Sequence, residues 1–406
     1  MFALALLVAL SAGDAPADSL VQRPPALAPR AAAPAALIVH SQPALPLVAL
    51  RLSLLADDPA GYAGVGHLLQ HLHYPALQEQ VARVGGQVRL ERNSDALVYT
   101  VVGPAAELAY LGGVLRSALA VPRVSETTLR IEAGVLAEER LAEWETAAGH
   151  VRAALRQQLF PQDLPATGTV AAARRWTVEA LPGLWAQMYR PERVSVVAVG
   201  DVNVELVARA FGELPEPPAA PLPEPRVDTL PPRPPARAEA TQGWLALGYA
   251  AEPGAEPAAL SLAAWLLRRE LRAHLPDASV EVEHWWTHHG QALVLVASAP
   301  EAALPVARRA LAVGLPSLLP ELTPGRVRAA AEALRREMLF HSRGPANMAS
   351  LLGQFADRGG EPDAAQRFYD ALGATGAGEL ERLLTTLAAR TPARVELPPQ
   401  PLPRRP

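Results

Sequence analysis

Two histidines separated by three residues carry the clearest chemical signal in this sequence. His67 and His71 stand in the segment HLLQH, with Gln70 between them. On an α-helix, residues i and i+4 share one face, so two imidazoles at this spacing can bind a single ion. Zinc favours such nitrogen ligands, and its catalytic sites usually combine three protein ligands with one open position. The pair therefore indicates a metal site, although the same spacing also occurs on ordinary surface and core helices.

Carboxylates that could complete such a site lie farther along the chain. Glu132 and Glu139 are seven residues apart within 126–145, a stretch with a helical pattern. Both fall on one face of that helix, whereas Glu138 is turned about 100° away. Acidic pairs of this kind also occur on solvated helix faces. The residues alone thus offer a third ligand without deciding which glutamate supplies it.

The composition excludes several other kinds of site. The chain has 406 residues, no cysteine and a formal net charge of −4. Without cysteine there is no disulfide framework, thiolate zinc cluster or thiol nucleophile. A mildly acidic chain also lacks the clustered positive charge of a non-specific nucleic-acid binder. We therefore expect no nucleic-acid partner, and nitrogen and oxygen ligands for any metal.

Proline-rich stretches divide the chain into two segments of similar length. Residues 213–237 cannot continue a helix or a central strand and are typical of an extended spacer. The apolar residues 1–12 and the following Ala15-Pro16-Ala17 are typical of a secretory signal peptide. The predicted order is a signal peptide, an N-terminal domain, a linker, a C-terminal domain and a tail, over 1–19, 35–213, 214–237, 238–395 and 396–406.

Strand and helix patterns follow in the same order in both segments. In the first segment, strands are predicted at 36–39 and 47–52, a helix over 65–77, a hairpin over 88–102, helices over 105–120, 126–145 and 149–158, and a strand at 194–199. In the second, a strand is predicted at 244–249, a helix over 257–274, strands at 279–285 and 291–298, and helices over 301–314 and 324–340. This repetition predicts an α+β fold with an internal duplication.

The segment around the histidines resembles the inverted zinc motif H-x-x-E-H of the pitrilysin/insulinase metallopeptidases, the inverzincins. Further landmarks follow in the order typical of that family: Gly64, Gly85-Gly86, Asp95, Tyr99, the Glu132/Glu139 pair, Thr167-Gly168-Thr169 and Tyr189-Arg190-Pro191. They cover nearly the whole first segment. The length is similar to that of the short bacterial and mitochondrial-processing-peptidase-like members.

The resemblance implies two homologous metallopeptidase-like α+β domains, with helices on a mostly antiparallel sheet, that form a clam-like chamber for extended peptides. It also implies that His67, His71 and Glu139 bind zinc, with Glu132 beside these ligands. The family's general base is the glutamate between the histidines, and Gln70 stands there instead. An amide does not take up a proton usefully, and a general acid–base group is typically worth roughly 10²–10⁴ in rate.

Positions that contact substrate in the family have also changed. The family's hairpin carries an Asn-Ala pair and a later Thr, where this chain has Arg89-Leu90 and Leu97. In the second domain, the family uses an Arg, and a Tyr seven residues later, to hold the substrate and polarise its carbonyl. Arg272 matches the Arg, although it also fits a charged helix end, and Ser279 occupies the Tyr position. A lost oxyanion donor costs roughly 2.7–4 kcal/mol in comparable sites.

These features predict an exported zinc metallopeptidase homologue, periplasmic or extracellular, that is proteolytically inactive or strongly impaired. Family members commonly pair an active with an inactive chain. The resemblance therefore implies that this chain binds peptides or unfolded polypeptides, or assembles with an active homologue as a heterodimer or with itself. Two alternatives stay open, an active zinc metalloendopeptidase that uses another base and a metal-free scaffold. No membrane span is expected in the mature chain, because no later stretch is long enough without charges.

Overall fold

The computed structural model describes residues 33–92, 95–217, 220–221, 241–359 and 361–399. The predicted signal peptide, most of the predicted linker and most of the predicted tail lie outside these residues. The described residues form a mixture of helices and strands, which confirms the predicted α+β class. They divide into two compact units.

The strands and the longer helices alternate along the chain. The strands are β1 (Ala36–Ser41), β2 (Leu47–Leu55), β3 (Gln87–Arg92), β4 (Ala96–Pro104), β5 (Val194–Gly200), β6 (Gly243–Ala250), β7 (Ser279–Thr287), β8 (Gly290–Ala299) and β9 (Ala393–Leu397). The helices are α1 (Val65–Ala82), α2 (Leu108–Ser117), α3 (Glu126–Glu145), α4 (Ala147–Leu159), α5 (Val170–Ala173), α6 (Leu181–Met188), α7 (Val204–Phe211), α8 (Pro257–His274), α9 (Leu304–Leu318), α10 (Pro324–His341), α11 (Pro345–Gly359), α12 (Ala364–Ala374) and α13 (Ala377–Ala388).

The first unit is built on a five-stranded sheet. It comprises the described parts of Met1–Ala137, Leu164–Thr229 and Met338–Ala365. The strand order is β1-β5-β2-β4-β3, and among these described pairs only β1 and β5 run parallel. The sheet is therefore mostly antiparallel, as predicted, and β3 lies at one edge. Leu68 and Leu69 of α1 are buried in the same core as Leu50 and Leu52 of β2.

The second unit is built on a four-stranded antiparallel sheet. It comprises the described parts of Glu138–Asp163, Leu230–Glu337 and Gln366–Pro406. The strand order is β7-β8-β6-β9. Val151 and Leu155 of α4 pack in one core with Val294 and Val296 of β8. The stretch Glu301–Glu321 could cross a membrane by length and composition alone, but within it α9 buries its leucines in this unit.

The two sheets repeat one strand order. The series β5-β2-β4-β3 corresponds to β9-β6-β8-β7, and all of these neighbouring pairs are antiparallel. Along the chain, α1 and α8 follow the equivalent strands β2 and β6, and α3 and α10 follow later at equivalent places. The topology thus repeats in the way that an internal duplication requires.

Each unit also contains a helix from the other half of the chain. The boundary of the first unit falls within α3, after Ala137, and the next helix, α4, packs on β6 and β9 of the second unit. Likewise, the boundary of the second unit falls within α10, after Glu337, and the next helix, α11, packs on β2 and β5 of the first unit. The compact units therefore differ from the predicted segments 35–213 and 238–395. Helix α4 of the first segment belongs to the second unit and helix α11 of the second segment belongs to the first, because each helix buries its apolar face on the sheet of the other segment.

A buried ion pair fixes the exchanged helix α11 on the first sheet. Arg51 of β2 is 1% exposed, and its Nη2 lies 2.7 Å from Oδ2 of Asp357 in α11. Ser53 accepts from Arg51 Nη1 at 3.0 Å and donates to the other carboxylate oxygen of Asp357. A Cβ at Gly353 would lie 2.1 Å from Arg51 Nη1, so the helix needs a glycine there to approach the guanidinium. The pair joins residues 306 positions apart.

We predict that Arg51→Met destabilises the protein by about 3–5 kcal/mol, because it leaves the Asp357 carboxylate buried without its cation. Urea unfolding followed by tryptophan fluorescence measures the loss. The double variant Arg51→Met/Asp357→Leu should recover most of it, since neither charge remains. Arg83→Met, which removes an exposed ion pair with Glu79, is the matched control and should leave the midpoint unchanged. A single variant as stable as the wild type would contradict the role of the pair.

Candidate metal centre

The start of α1 is held by a buried carboxylate. Asp58, 8% exposed, accepts hydrogen bonds from the backbone N–H of Gly64 at 2.6 Å and of Gly66 at 2.9 Å. These N–H groups lie at the helix N-terminus, where they have no partner within the helix and where negative charge is favourable. A Cβ at Gly66 would lie 2.8 Å from Asp58 Oδ1. The carboxylate thus fixes the backbone immediately before His67.

Gly64 lies in the same turn and adopts a backbone conformation that favours glycine. Its φ is 85°, in the left-handed region, and a Cβ there would lie 2.5 Å from Cα of Gly168. Gly168 also has a positive φ, of 74°. Two of the family-like landmarks, Gly64 and Thr167-Gly168-Thr169, are therefore explained by one close backbone contact.

The two histidines of the motif lie side by side on α1. Their ring centroids are 4.8 Å apart with the planes at 79°. Nδ1 of His71 is 3.1 Å from Oε2 of Glu132 in α3. Histidines that bind metals commonly donate their second ring N–H to a carboxylate in this way, which fixes the ring and its tautomer. The contact leaves Nε2 of His71 as the ring atom for an ion.

His67 is held in the form that binds metals. Burial, followed by the neighbouring His71 and Arg92, lowers the pKa of His67 to about 4. The imidazole is therefore neutral at pH 7, and a neutral imidazole has a lone pair for coordination.

Glu139 lies close to both histidines. It is carried by α3, three residues after Leu136, which is buried with Leu129 in the core of the first unit. The division between the units falls inside this continuous helix, after Ala137. Candidate ligand atoms of His67, His71 and Glu139 all lie within 4.8 Å of one another, and each residue is half-buried.

The donor set suits a borderline divalent cation. Two imidazole nitrogens and one carboxylate form the His₂Glu combination of catalytic zinc sites, although other divalent ions accept the same ligands. The sequence therefore pointed to residues that the fold brings together. Zinc binding by them stays a prediction.

Gln70 faces the sheet through its amide nitrogen. It is 1% exposed, and its Nε2 donates to the backbone carbonyls of Glu91 in β3 and Val98 in β4, both at 3.0 Å. Its Oε1 is buried without a hydrogen-bond partner among the described residues. An ionised carboxylate at this position could not donate to the two carbonyls. The amide thus ties α1 to the β3–β4 hairpin.

His73, the third histidine of this helix, belongs to the core. Its Nδ1 is 3.1 Å from the Tyr99 hydroxyl and its Nε2 is 2.8 Å from the carbonyl of Ala120. Burial lowers its pKa to about 4. The Tyr99 landmark of the hairpin is accordingly a structural partner of His73.

The predicted substrate-contacting residues lie on exposed edges. Arg89 is on the edge strand β3, with its side chain 72% exposed and its Nε 2.9 Å from Glu91 Oε1. Arg272, in the last turn of α8, donates from Nε to the carbonyl of Val280 at 2.9 Å. Ser279 begins β7 and is exposed. Their contact with substrate stays a prediction.

Asp58 is a residue that the sequence analysis missed. The available signal was an acidic residue shortly before Gly-x-Gly at a helix start, a position where carboxylates commonly accept backbone N–H groups. It is weak in the sequence, because Asp57 stands next to it and Asp58 is six residues before Gly64.

One family model matches part of this chain. Residues 175–292 match the model described as Peptidase M16 inactive domain. The matched segment does not include His67, Gln70, His71 or Glu139. No curated protein matches the chain by sequence.

The fold is similar to that of solved structures. A protease from Helicobacter pylori has a TM-score of 0.70 at 17% identity, over 88% of this chain and 96% of that one. A peptidase M16 inactive domain from Pseudomonas fluorescens has a TM-score of 0.72 at 14% identity, over 93% of this chain and 99% of that one. At these identities the likeness establishes the fold, and it extends over most of the described chain.

We predict that Gln70→Met lowers the free energy of unfolding by about 1–3 kcal/mol, because the buried carbonyl of Val98 and the partly buried carbonyl of Glu91 lose an amide donor. The measurement is urea unfolding of the metal-free protein in a chelating buffer. Gln80→Met is the matched control on the same helix, since the side-chain amide of Gln80 donates to the carbonyl of Ala76 at an exposed site. Equal losses in the two variants would show that Gln70 does not tie the helix to the hairpin.

Proposed function

We propose that this chain is an M16-like metallopeptidase homologue that binds a divalent metal ion and peptides but is catalytically impaired. The observation that carries the proposal is the contrast around one helix face. His67, His71 and Glu139 place candidate ligand atoms within 4.8 Å of one another, while the position between the histidines is an amide bound to backbone carbonyls. The match to the Peptidase M16 inactive domain model agrees with this view.

In this proposal, His67, His71 and Glu139 hold the ion and Glu132 orients His71. A bound zinc ion would supply a Lewis acid at this site. Peptide hydrolysis also needs a group that takes up a proton from water and passes it to the leaving amine. Gln70 does not titrate, and its Nε2 is already engaged by Glu91 and Val98. The chain therefore retains the means to bind an ion and lacks the proton carrier.

We propose peptides or unfolded polypeptides as the ligands. Among the described strands, β3 lies at one edge of the first sheet and carries Arg89, and an extended peptide can add to such an edge as a further strand. An active homologue would be the partner, as a heterodimer, and a homodimer is the alternative assembly. The signal-like first residues support a periplasmic or extracellular location. A neighbouring reading frame with an intact H-x-x-E-H would favour the paired assembly.

We predict that the full chain, purified without chelators, binds about one zinc ion per molecule. Glu139→Gln and His71→Ala should abolish stoichiometric binding, because each removes one of three ligands. Glu132→Gln should weaken binding by roughly 10–100-fold, as is usual for a partner of a ligating histidine. Elemental analysis and competition with a zinc-binding dye measure both effects. Glu138→Gln, on an exposed position of the same helix, is the matched control.

Absence of metal from the wild-type protein, or equal binding by Glu139→Gln and Glu138→Gln, would instead support the metal-free scaffold.

We predict that the zinc-loaded wild type binds an unstructured fluorescent peptide and cleaves it roughly 10²–10⁴-fold more slowly than Gln70→Glu. The carboxylate introduced by that substitution cannot donate to the carbonyls of Glu91 and Val98, so it is free to turn toward the ligand face. Fluorescence anisotropy measures binding, and mass spectrometry measures cleavage. Gln70→Glu/His71→Ala controls for cleavage that does not depend on the metal. A wild type that cleaves as fast as Gln70→Glu would establish the alternative of an active peptidase with another base.

A further inference from the structure

A groove of about 370 Å³ lies between α8 and α10 of the second unit. The residues that line it are Trp265, Leu266 and Arg269 of α8 and Arg326, Ala329, Ala330 and Ala333 of α10. Arg269 and Ala329 are exposed, so the groove opens to solvent, whereas Leu266 and Ala330 are buried and form its inner wall. Sites for small molecules usually have volumes of about 300–1,000 Å³. The groove is therefore large enough to hold a ligand.

The walls of the groove are apolar apart from two arginines. Trp265 is the largest side chain that lines it, and the ring is half-buried. Nε1 of Trp265 donates to Oε2 of Glu337 at 2.7 Å, which fixes the indole on α8. Aromatic groups pack favourably against such a ring by offset or edge-to-face contact. The groove therefore suits a ligand with an aromatic body.

Arg326, one of the two arginines, is neutralised by the protein. Its Nη2 lies 2.8 Å from Oε2 of Glu270, and its Nη1 lies 2.5 Å from Oε2 of Glu321. Two carboxylates thus hold this guanidinium as part of the wall, and its charge is not available to a ligand.

Arg269, the other arginine, has no carboxylate partner. Its Cζ lies over the Trp265 ring, 5.6 Å from the ring centroid. Among the described residues, its side chain makes no ion pair or hydrogen bond, whereas Arg268 and Arg326 are both paired with glutamates. Arginine binds a carboxylate through two parallel N–H groups. The groove thus joins an apolar wall to one cation that lacks a counter-ion.

The groove lies between the two helices that correspond to those of the candidate metal centre. Helices α8 and α10 follow β6 along the chain as α1 and α3 follow β2. In the first pair, the facing side chains include the candidate metal ligands. The second pair has an apolar groove with one arginine instead. Equivalent helix pairs of the duplicated fold therefore present different ligand chemistry.

We propose that this groove binds an aromatic carboxylate, with the aromatic group against Trp265 and Leu266 and the carboxylate on Arg269. A free aromatic acid carries this chemistry, and so does the C-terminal residue of a peptide that ends in an aromatic side chain. The proposal rests on neither the metal centre nor the proposed peptide binding at β3. Experiments in a chelating buffer therefore test the groove alone.

The test is isothermal titration calorimetry of the full wild-type chain in EDTA with N-acetyl-L-phenylalanine and with its C-terminal amide. We expect saturable binding of the acid, with a Kd on the order of 1 mM for a ligand of this size. The amide should bind roughly 10-fold more weakly, because it lacks the charge that strengthens hydrogen bonds to a guanidinium. An unstructured peptide that ends in phenylalanine, as free acid and as amide, forms the second arm.

Variants separate the charge of the groove from its shape. Arg269→Gln should weaken binding of the acid roughly 10-fold and leave binding of the amide nearly unchanged. Arg309→Gln in α9 is the matched control, since Arg309 is also exposed and does not line the groove. Ala333→Leu should abolish binding by filling the groove, whereas Ala273→Leu, at an exposed position of α8 outside it, should not.

The two arms identify the source of the carboxylate. Binding of the small acid that weakens in Arg269→Gln supports the proposal. Binding of the peptide acid alone, with the same dependence on Arg269, supports it and identifies a peptide C-terminus as the ligand. Equal binding of acid and amide, equal affinity of the wild type and Arg269→Gln, or no binding in either arm would overturn it.

Discussion

The backbone turn at Asp58, Gly64 and Gly66 is the constraint on which the candidate metal centre depends. The Asp58 carboxylate must reach two N–H groups at the start of α1, and any side chain at Gly66 would block it. The positive φ of Gly64 lets the chain enter the helix against the backbone of Gly168. Because His67 directly follows this turn, the rotation of α1 about its axis is fixed before its first candidate ligand. The backbone turn itself thus requires Gly64 and Gly66, whether or not a metal is bound.

Gln70 has a structural role at the position that the resemblance assigns to a general base. Helix α1 needs a polar partner for the carbonyls of Glu91 and Val98 at this depth, and an amide can donate to both. An ionised glutamate can donate to neither, and burying it beside two carbonyl oxygens would cost free energy. An amide at this position therefore makes a contact between helix and hairpin that an ionised carboxylate would not make. The candidate ligands on the same helix do not depend on this contact, because His67 follows the fixed helix start and His71 contacts Glu132.

The sequence predicted elements where local patterns were sufficient. Helix α8 has the predicted bounds 257–274, since Pro257 suits a helix start and the apolar spacing is regular. Helix α1 runs past Pro75 to Ala82, beyond its predicted end at Leu77, because Leu77 and Val81 are buried. The exchange of α4 and α11 was not predictable, since the Arg51–Asp357 pair joins residues 306 positions apart.

Because the topology is duplicated, the second unit shows how the equivalent pair of helices is joined where the candidate metal ligands are not present. In the second unit, α8 and α10 occupy the places in the chain that α1 and α3 occupy in the first. Glu337 of α10 joins this pair of helices, since it accepts from Trp265 Nε1 at 2.7 Å and from Arg268 at 2.8 Å. Arg326 of α10 also donates to Glu270 of α8 at 2.8 Å. A carboxylate on the later helix is thus neutralised by protein donors, and the helix pair needs no ion. In the first unit the corresponding contact between α1 and α3 is made by His71 and Glu132. A carboxylate and a protein donor thus join the helix pair there too, and binding of an ion by the histidines stays a prediction.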